Sequence, residues 1–412
     1  MSIATAARRA PISYRGAKHV ALYLINYGAR GFYAPFISLY LVSIGYSPVD
    51  LGLLAGLSAI VRIVVVPAYS AWVDRLGAHR RLLNVQLAIA GFASLTMGLW
   101  PNRTWLDAMY VTRDAVDVPG SALMSQLVLS GDPNHGSTFF ARLRAMGSLG
   151  WAIASISAGW VIGVGGYTLL ILLAGILNII SLPLLRILPE RTAKLNTRIE
   201  KPPKRKPAFW LMMFSNFLYY VCTNAVFVFL WVYLMDYLAM DDGAVGLVAA
   251  ALGLFEIPWM IYMNRIYQRI SPRRALAFGI AGQALFALAL AFLTGPVLLV
   301  PLIALRGVFY AMHNISLTLL VTEISHPTNV ATNQALAWVT IPAIAAVLTG
   351  PLAGWMYENI DARFMFTVSA LVGLVASLIL LLGRRMIAEA TADRQALRNA
   401  ALSVPMGVGK AR

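Results

Sequence analysis

Hydrophobic residues in this chain occur in long runs that are separated by short polar segments. A helix that spans the hydrocarbon layer of a bilayer needs roughly 20 apolar residues, and about twelve such runs can be counted. Their centres lie near residues 31, 61, 91, 117, 150, 178, 220, 254, 284, 309, 343 and 373. The short alternating pattern of a membrane β-barrel is missing. Because a helix satisfies its own backbone hydrogen bonds in lipid, the pattern predicts an all-α membrane protein with twelve transmembrane helices.

Composition agrees with this fold class and excludes a water-soluble domain. The mean hydropathy is +0.72 over 412 residues, and so much apolar surface would find no core in a soluble protein. The net charge is +16, but the basic residues lie at the ends of the predicted spans, so no nucleic-acid partner is expected. The one cysteine, Cys222, lies inside a predicted span and cannot form a disulfide within the chain.

The basic residues occur in alternate loops, which predicts the orientation of the chain. They are Arg8, Arg9, Arg15, Lys18, Arg75, Arg80, Arg81, Arg191, Lys194, Arg198, Lys201, Lys204, Arg205, Lys206, Arg265, Arg269, Arg273 and Arg274. By the positive-inside rule both termini are cytoplasmic. The first apolar run lacks a signal-peptide cleavage site, so it is expected to insert and stay. A multi-pass protein of a bacterial-type inner membrane is the predicted localisation.

Internal repeats divide the chain into two halves. Arg113 and Arg306 lie 193 positions apart, and similar short motifs recur at nearly the same offset. The predicted domains are an N-terminal segment (1–17), a six-helix bundle (18–188), a basic cytoplasmic linker (189–207), a second six-helix bundle (208–384) and a cytoplasmic tail (385–412). An even number of helices per repeat gives both halves the same orientation, as in transporters built from parallel repeats.

Local motifs then carry a family resemblance. Residues 72–77 (WVDRLG), with Arg80 and Arg81, resemble the loop between helices two and three of the major facilitator superfamily. Residues 140–151, 254–258 and 352–358 resemble its oligosaccharide, nucleoside and phenylpropionate proton symporter branch. The resemblance implies the major facilitator fold, and it implies a gating loop formed by Asp74, Arg75, Gly77, Arg80 and Arg81. We expect the arginines of this loop to face carboxylates or lipid phosphates.

Charged residues inside the predicted spans are the strongest functional signal. Residues 110–120 (YVTRDAVDVPG) place Arg113 roughly 12 Å deep in the fourth span at about 1.5 Å per residue. An ionised group there needs a partner or water, so its default interpretation is functional. Arg113 and Asp117 are one helical turn apart and can pair. The charged residues at similar depth are Arg30, Arg62, Arg113, Arg306, Asp107, Asp114, Asp117 and Glu256.

The resemblance implies that helices one, four, seven and ten line a central cavity. The candidate substrate-binding residues are Tyr27, Arg30, Arg113, Asp114, Asp117, Asn216, Tyr220, Asn224, Arg306 and His313. Proton coupling is assigned to Glu256, in contact with Arg306 or His313. Glu256 occupies the position in the second repeat that Arg62 occupies in the first. In the symporters that this chain resembles, the counterpart of Glu256 takes part in binding and proton coupling. A histidine that can gain a charge suits a proton-responsive network.

The predicted function is secondary transport of a small organic solute by alternating access, driven as proton symport. A sugar, a nucleoside or an aromatic acid would suit the lining, and the residues do not decide between an anionic and a neutral solute. Proton-driven export of drugs or lipids is the main alternative. A sensor on the same fold and a metal-dependent transferase using Asp114 and Asp117 also stay open, although such a metal site needs further acids. No enzyme activity, cofactor or bound metal is expected. The protein is expected to be a monomer in the lipid bilayer.

Overall fold

The computed structural model describes residues 14–76, 79–131, 136–188, 205–326 and 329–392, and all secondary structure in these ranges is helical. The helices, in chain order, are α1 (Tyr14–Tyr33), α2 (Ile37–Ser43), α3 (Pro48–Leu76), α4 (His79–Leu99), α5 (Arg103–Gly131), α6 (Gly136–Leu184), α7 (Pro207–Asp236), α8 (Asp242–Tyr267), α9 (Pro272–Phe292), α10 (Leu299–Ile324), α11 (Val330–Ala335), α12 (Ile341–Asn359) and α13 (Ala362–Leu382). One π-helical turn, Leu336–Thr340, joins α11 to α12. A further helix covers residues 384–392.

Among the described residues, nine helical stretches are long and apolar enough to cross a membrane. One of them, Leu143–Ile187, is 45 residues long, more than twice what a single crossing requires. It is broken at Gly165 and Gly166, and Gly166 has φ +66° and ψ −174°, a conformation that only glycine adopts readily. The break separates the two runs predicted around residues 150 and 178. The all-α membrane fold is therefore confirmed, and the count of twelve spans stays a prediction.

The described helices form two compact units. Unit 1 contains residues 14–37 and 68–188, and unit 2 contains residues 38–67 and 205–392. In unit 1, α6 packs against α1 and α4, and α4 also packs against α5. In unit 2, α9 packs against α10 and α13, α10 packs against α8, and α7 packs against α12 and α13. Most of the predicted linker 189–207, the segment 1–17 and the tail 385–412 lie outside the described residues.

Glycines allow the closest helix contacts within each unit. In unit 1, a Cβ added to Gly31 of α1 would lie 2.6 Å from the carbonyl oxygen of Trp151 in α6. In unit 2, a Cβ on either Gly52 of α3 or Gly350 of α12 would collide with the carbonyl oxygen of the other glycine. Backbones in contact leave no room for a side chain, as in small-residue packing of membrane helices. These contacts fix the rotation of each helix and so decide which way its polar residues point.

Candidate functional site

The charged residue at the end of α1 is paired with α5 in unit 1. Nη2 of Arg30 lies 3.1 Å from Oδ1 of Asp117, and the same nitrogen donates to the backbone carbonyl of Asp117 at 3.2 Å. The predicted pairing of Asp117 with Arg113, one turn earlier on α5, is not formed. Asp117 instead binds Arg30 of α1, while Arg113 contacts Ser94 of α4 and the ring of Tyr33 at the end of α1.

Arg113 is buried, with only 3% of its surface exposed, and its contacts are with neutral groups. Its Nε donates to Oγ of Ser94 at 2.8 Å, and its guanidinium carbon lies 3.2 Å from the ring centroid of Tyr33. One terminal nitrogen, Nη2, is buried without a hydrogen-bond partner. No carboxylate in the described part of the chain forms an ion pair with this guanidinium. Arg113 is thus a buried cation held by a ring and a hydroxyl, with a donor left over.

Tyr27 lies next to two cations of unit 1, Arg30 and Arg144. The guanidinium carbons of Arg30 and Arg144 lie 5.3 Å and 4.8 Å from its ring centroid. The ring also stacks on Tyr23, with the centroids 5.9 Å apart. Asp114 is half-buried on α5. The structure therefore gathers Tyr27, Arg30 and Asp117 in one cluster, in which an aromatic ring helps to stabilise positive charge.

Unit 2 contains the ion pair that carries the predicted coupling residue. Nη1 of Arg306 on α10 lies 3.3 Å from Oε1 of Glu256 on α8. The Arg306 side chain is 3% exposed and that of Glu256 is 17% exposed, so the pair is largely removed from solvent. The sequence prediction left Arg306 and His313 as alternative partners of Glu256. The structure has Arg306 in that position, and His313 makes no hydrogen bond or ion pair with Glu256.

Aromatic rings surround the Arg306 guanidinium on its other sides. Its carbon lies 4.6 Å from the ring centroid of Phe227, 5.4 Å from that of Tyr310 and 5.8 Å from that of Phe286. Nε of Arg306 is buried without a hydrogen-bond partner. Rings attract the charge but do not compensate it fully. Glu256 is the carboxylate that neutralises Arg306 in this structure.

His313, about two turns further along α10, is buried in a cage of aromatic rings. Its ring stacks on Tyr219 with the centroids 3.7 Å apart, and the edges of Tyr220 and Trp338 lie around it at 6.1 Å and 5.9 Å. Its Nε2 lies 3.2 Å from Oδ1 of Asn216. The Asn216 amide nitrogen already donates to the carbonyl of Ala337 at 2.9 Å, so its oxygen is the acceptor that faces His313.

This arrangement assigns the tautomer of a neutral His313. Nε2 carries the hydrogen that Asn216 accepts, which leaves Nδ1 as an acceptor. Nδ1 is buried and has no hydrogen-bond partner. A buried acceptor without a donor is unfavourable by itself and is suited to receive an O–H or N–H group from a bound molecule.

The two predicted asparagines of α7 bind the π-helical turn and the start of α12. Asn216 donates to the carbonyl of Ala337 inside the π-helical turn, and Asn224 donates to the carbonyl of Pro342 at 3.2 Å. Single π-helical turns within helices are frequent at functional positions. Here the turn carries Trp338, which forms one wall of the cage around His313.

The predicted gating loop is described only in part. Gly77 and the side chains of Asp74 and Arg75 lie outside the described residues, and Arg81 is exposed at the start of α4. Arg80 donates through Nη1 to the backbone carbonyls of Arg186 and Leu188, at 3.4 Å and 3.2 Å. Orphan carbonyls at a helix end are good acceptors for a cation, and the expectation that the arginines of this loop face carboxylates or lipid phosphates stays a prediction.

Sequence reasoning missed three residues that contact the predicted ones. Ser94 binds Arg113, Phe286 lies beside Arg306, and Trp338 packs on His313. Each lies on a helix that was not expected to line the site, and none breaks the apolar pattern of its span. Within the described part of the chain, no three His, Cys, Asp or Glu residues lie close enough to hold a metal ion.

Comparisons with known proteins agree with this architecture. A family profile described as Major Facilitator Superfamily matches residues 20–341. Sugar efflux transporter A of Dickeya chrysanthemi is 22% identical over 392 residues, which cover 90% of this chain and 97% of that protein. A mutant of the nucleoside transporter NupG superposes with a TM-score of 0.77 at 15% identity, over 89% of this chain and 98% of that one. A POT family transporter in complex with a thioalcohol conjugated peptide reaches 0.74 at 12% identity, over 90% and 96%. At these identities the solved structures show the fold alone.

Proposed function

The chain belongs to the major facilitator superfamily, whose members are carriers, and we propose that it moves a hydroxylated organic solute together with protons by alternating access. It is a membrane-spanning transporter and not an enzyme, which excludes the transferase hypothesis for Asp114 and Asp117. We propose the coupling to protons, the class of solute and the direction of transport. We expect it to work as a monomer in a bacterial inner membrane.

The observation that carries the proposal is the Glu256–Arg306 pair of unit 2. Glu256 lies 14 residues after the start of α8, about 20 Å along the helix at 1.5 Å per residue. A carboxylate at such depth is a functional candidate with its partner named. Protonation of Glu256 would remove the charge that neutralises Arg306. The freed guanidinium would then favour a state with a different partner, and this is how a proton can be linked to solute binding.

The solute class follows from the cage around His313. The free Nδ1 of His313 accepts a hydroxyl or amide hydrogen, and the rings of Tyr220 and Trp338 offer flat apolar faces. Sugars and nucleosides combine hydroxyl groups with apolar ring faces. The relatives named above, a sugar efflux transporter and a nucleoside transporter, support the same class. Tyr219 is stacked on the histidine and would keep its ring in position.

In unit 1 we assign Arg113 to solute recognition and the Arg30–Asp117 pair to positioning. Arg113 has a buried Nη2 donor without an acceptor, which an oxygen of the solute would satisfy. Arg30 and Asp117 neutralise each other, so they hold α1 against α5 while Arg113 stays available. This assignment suits either a hydroxyl oxygen or a carboxylate on the solute.

The test uses purified protein in liposomes that contain a pH-sensitive dye. Sugars, nucleosides and aromatic acids are added outside one at a time, with labelled solute measured in parallel. Symport predicts that a transported solute acidifies the lumen. Glu256→Gln should abolish this acidification, because its side chain cannot exchange a proton, while solute exchange without a gradient persists.

A matched control is Glu358→Gln, which makes the same substitution at an exposed residue at the end of α12. The glutamine oxygen can still accept the backbone N–H of Val49, which Glu358 binds at 2.9 Å. Proton-coupled transport should be unchanged in this variant. Equal acidification by Glu256→Gln and the native protein would show that the coupling residue lies elsewhere.

Proton-driven sugar export is the second candidate, and the relation to sugar efflux transporter A favours it. The same liposomes separate the two functions by sign. Solute moving into the lumen would bring protons with it in symport and would drive protons out in antiport. Alkalinisation of the lumen on sugar addition would therefore identify an exporter that exchanges sugar for protons.

A further inference from the structure

A cavity of about 240 Å³ lies in unit 2 where α9 begins and where α13 ends. Four arginines line it, two from the start of α9 and two from the helix at residues 384–392; they are Arg273, Arg274, Arg384 and Arg385. Two leucines at the end of α13, Leu380 and Leu381, form an apolar wall of the same cavity. This cavity is separate from the Glu256 and His313 clusters.

The positive charge in this cavity is offset only in part. None of the four guanidinium groups forms an ion pair with a carboxylate in the part of the chain that the structure describes. Arg273 donates through Nη1 to the backbone carbonyl of Arg384 at 2.6 Å, which joins α9 to the 384–392 helix. The acid that interacts electrostatically with Arg273 is Glu323 on α10. Four like charges around one cavity repel each other unless an anion binds between them.

Packing anchors the helix that carries two of these arginines. On the 384–392 helix, Ile387 is 1% exposed and Ala390 is 5% exposed, and both belong to the buried core that contains Phe209 and Met212 of α7. Arg384 and Arg385 lie on the exposed side of the same helix. Because its apolar face is anchored, this helix keeps the backbone of both arginines beside the cavity. Guanidinium groups suit bidentate binding of phosphate oxygens.

We propose that this cavity binds the phosphate group of an acidic phospholipid. The apolar stretches Pro272–Phe292 and Ala362–Leu382 begin and end at the cavity, which therefore lies at the boundary between lipid and water. Leu381 is exposed and can contact an acyl chain while the arginines bind the headgroup. A free phosphate ion offers the same oxygens but cannot use the apolar wall. The proposal does not depend on which solute the protein transports.

The test measures lipid binding to the purified full chain by native mass spectrometry. The probes are phosphatidylglycerol, zwitterionic phosphatidylcholine and inorganic phosphate. The test variant is Arg274→Gln with Arg385→Gln, since neither side chain makes a hydrogen bond within the described structure. The matched control is Arg265→Gln with Arg269→Gln, which removes two exposed arginines of the same unit outside the cavity. Each arginine near a membrane surface contributes about fivefold, so the test variant should bind phosphatidylglycerol roughly 25 times more weakly.

Phosphatidylglycerol binding that is lost in the test variant and kept in the control would support the proposal. If inorganic phosphate competes with phosphatidylglycerol for the native protein, and the protein does not prefer one lipid over the other, the cavity binds a soluble phosphate. That result would overturn the lipid as its occupant. Equal binding of phosphatidylglycerol and phosphatidylcholine, or unchanged binding in the test variant, would overturn the site altogether. As a second measurement, binding in the native protein should weaken as salt is raised, because partly exposed charges are screened.

Discussion

The guanidinium of Arg113 lies over the ring of Tyr33, with its carbon 3.2 Å from the ring centroid. The phenol hydroxyl of Tyr33 is buried and makes no hydrogen bond, so the ring face is what stabilises the cation. A cation on a ring face in a desolvated position gains about 2 kcal/mol. Tyr33 is therefore expected to keep Arg113 buried and charged while its Nη2 donor stays open.

Substitution of Tyr33 separates the ring from the hydroxyl. Tyr33→Phe keeps the ring and should leave solute uptake close to that of the native protein. Tyr33→Leu removes the ring and should lower the free energy of unfolding by about 2 kcal/mol, and it should also weaken solute binding because Arg113 is no longer fixed. Thermal unfolding in detergent and uptake into liposomes are the measurements. A large loss of uptake in Tyr33→Phe would contradict the assignment, since the hydroxyl would then be the functional group.

The Arg306–Glu256 pair should behave as a unit in a double-mutant cycle. Glu256→Gln leaves a buried cation without its carboxylate, and loss of one partner of a buried pair costs about 3 kcal/mol. Arg306→Gln leaves the carboxylate alone and should cost a similar amount. The double variant places two neutral groups at the same position and should be less destabilised than the two single variants together. Denaturation of all four proteins in one detergent gives the coupling free energy, and simple additivity would show that the contact does not stabilise the fold.

His313 should affect solute affinity more than the maximal rate. His313→Ala removes the free Nδ1 acceptor, and loss of one hydrogen bond to a neutral solute group costs about 1 kcal/mol, or roughly a fivefold rise in KM. Trp338→Phe keeps an aromatic wall and should have a smaller effect than Trp338→Ala. Uptake of a labelled solute over a range of concentrations separates KM from the rate. An unchanged KM in His313→Ala would show that the cage around His313 is not part of the solute-binding site.

We predict that the start of α3 moves relative to the end of α12 during alternating access. In this structure the backbone N–H of Val49 binds Glu358 at 2.9 Å, next to the Gly52–Gly350 contact. Val49→Cys with Glu358→Cys, joined by a short bifunctional thiol reagent, should reduce transport at least tenfold if the two helices have to separate during the cycle. The native thiol of Cys222 is buried, so background labelling should be low.

Reductant-cleavable cross-linking provides the control for this experiment. Transport should return when the link is reduced, and each single cysteine variant should be insensitive to the reagent. Full transport by the cross-linked protein would mean that α3 and α12 stay together throughout the cycle. The proposed mechanism would then have to place its moving contact elsewhere.

The sequence alone determined the class of protein and showed which charged residues fall inside its apolar runs. Runs of apolar residues specify spans because each must match the thickness of the hydrocarbon layer. Arg113, Asp117, Glu256 and Arg306 stood out in those runs because charge at such depth is unfavourable without a function or a partner. The resemblance of short motifs was enough to identify the family, which the match over residues 20–341 then showed.

Only the tertiary structure decided which charges meet. Spacing along α5 allowed Arg113 to pair with Asp117, but the pair that forms is Arg30 with Asp117. Partner choice depends on the rotation of each helix, and that rotation is set by contacts such as Gly31 against Trp151. Ser94 and Trp338 were missed for the same reason. A hydroxyl or a ring inside an apolar span carries no periodic signal, so its neighbours appear only when the helices pack.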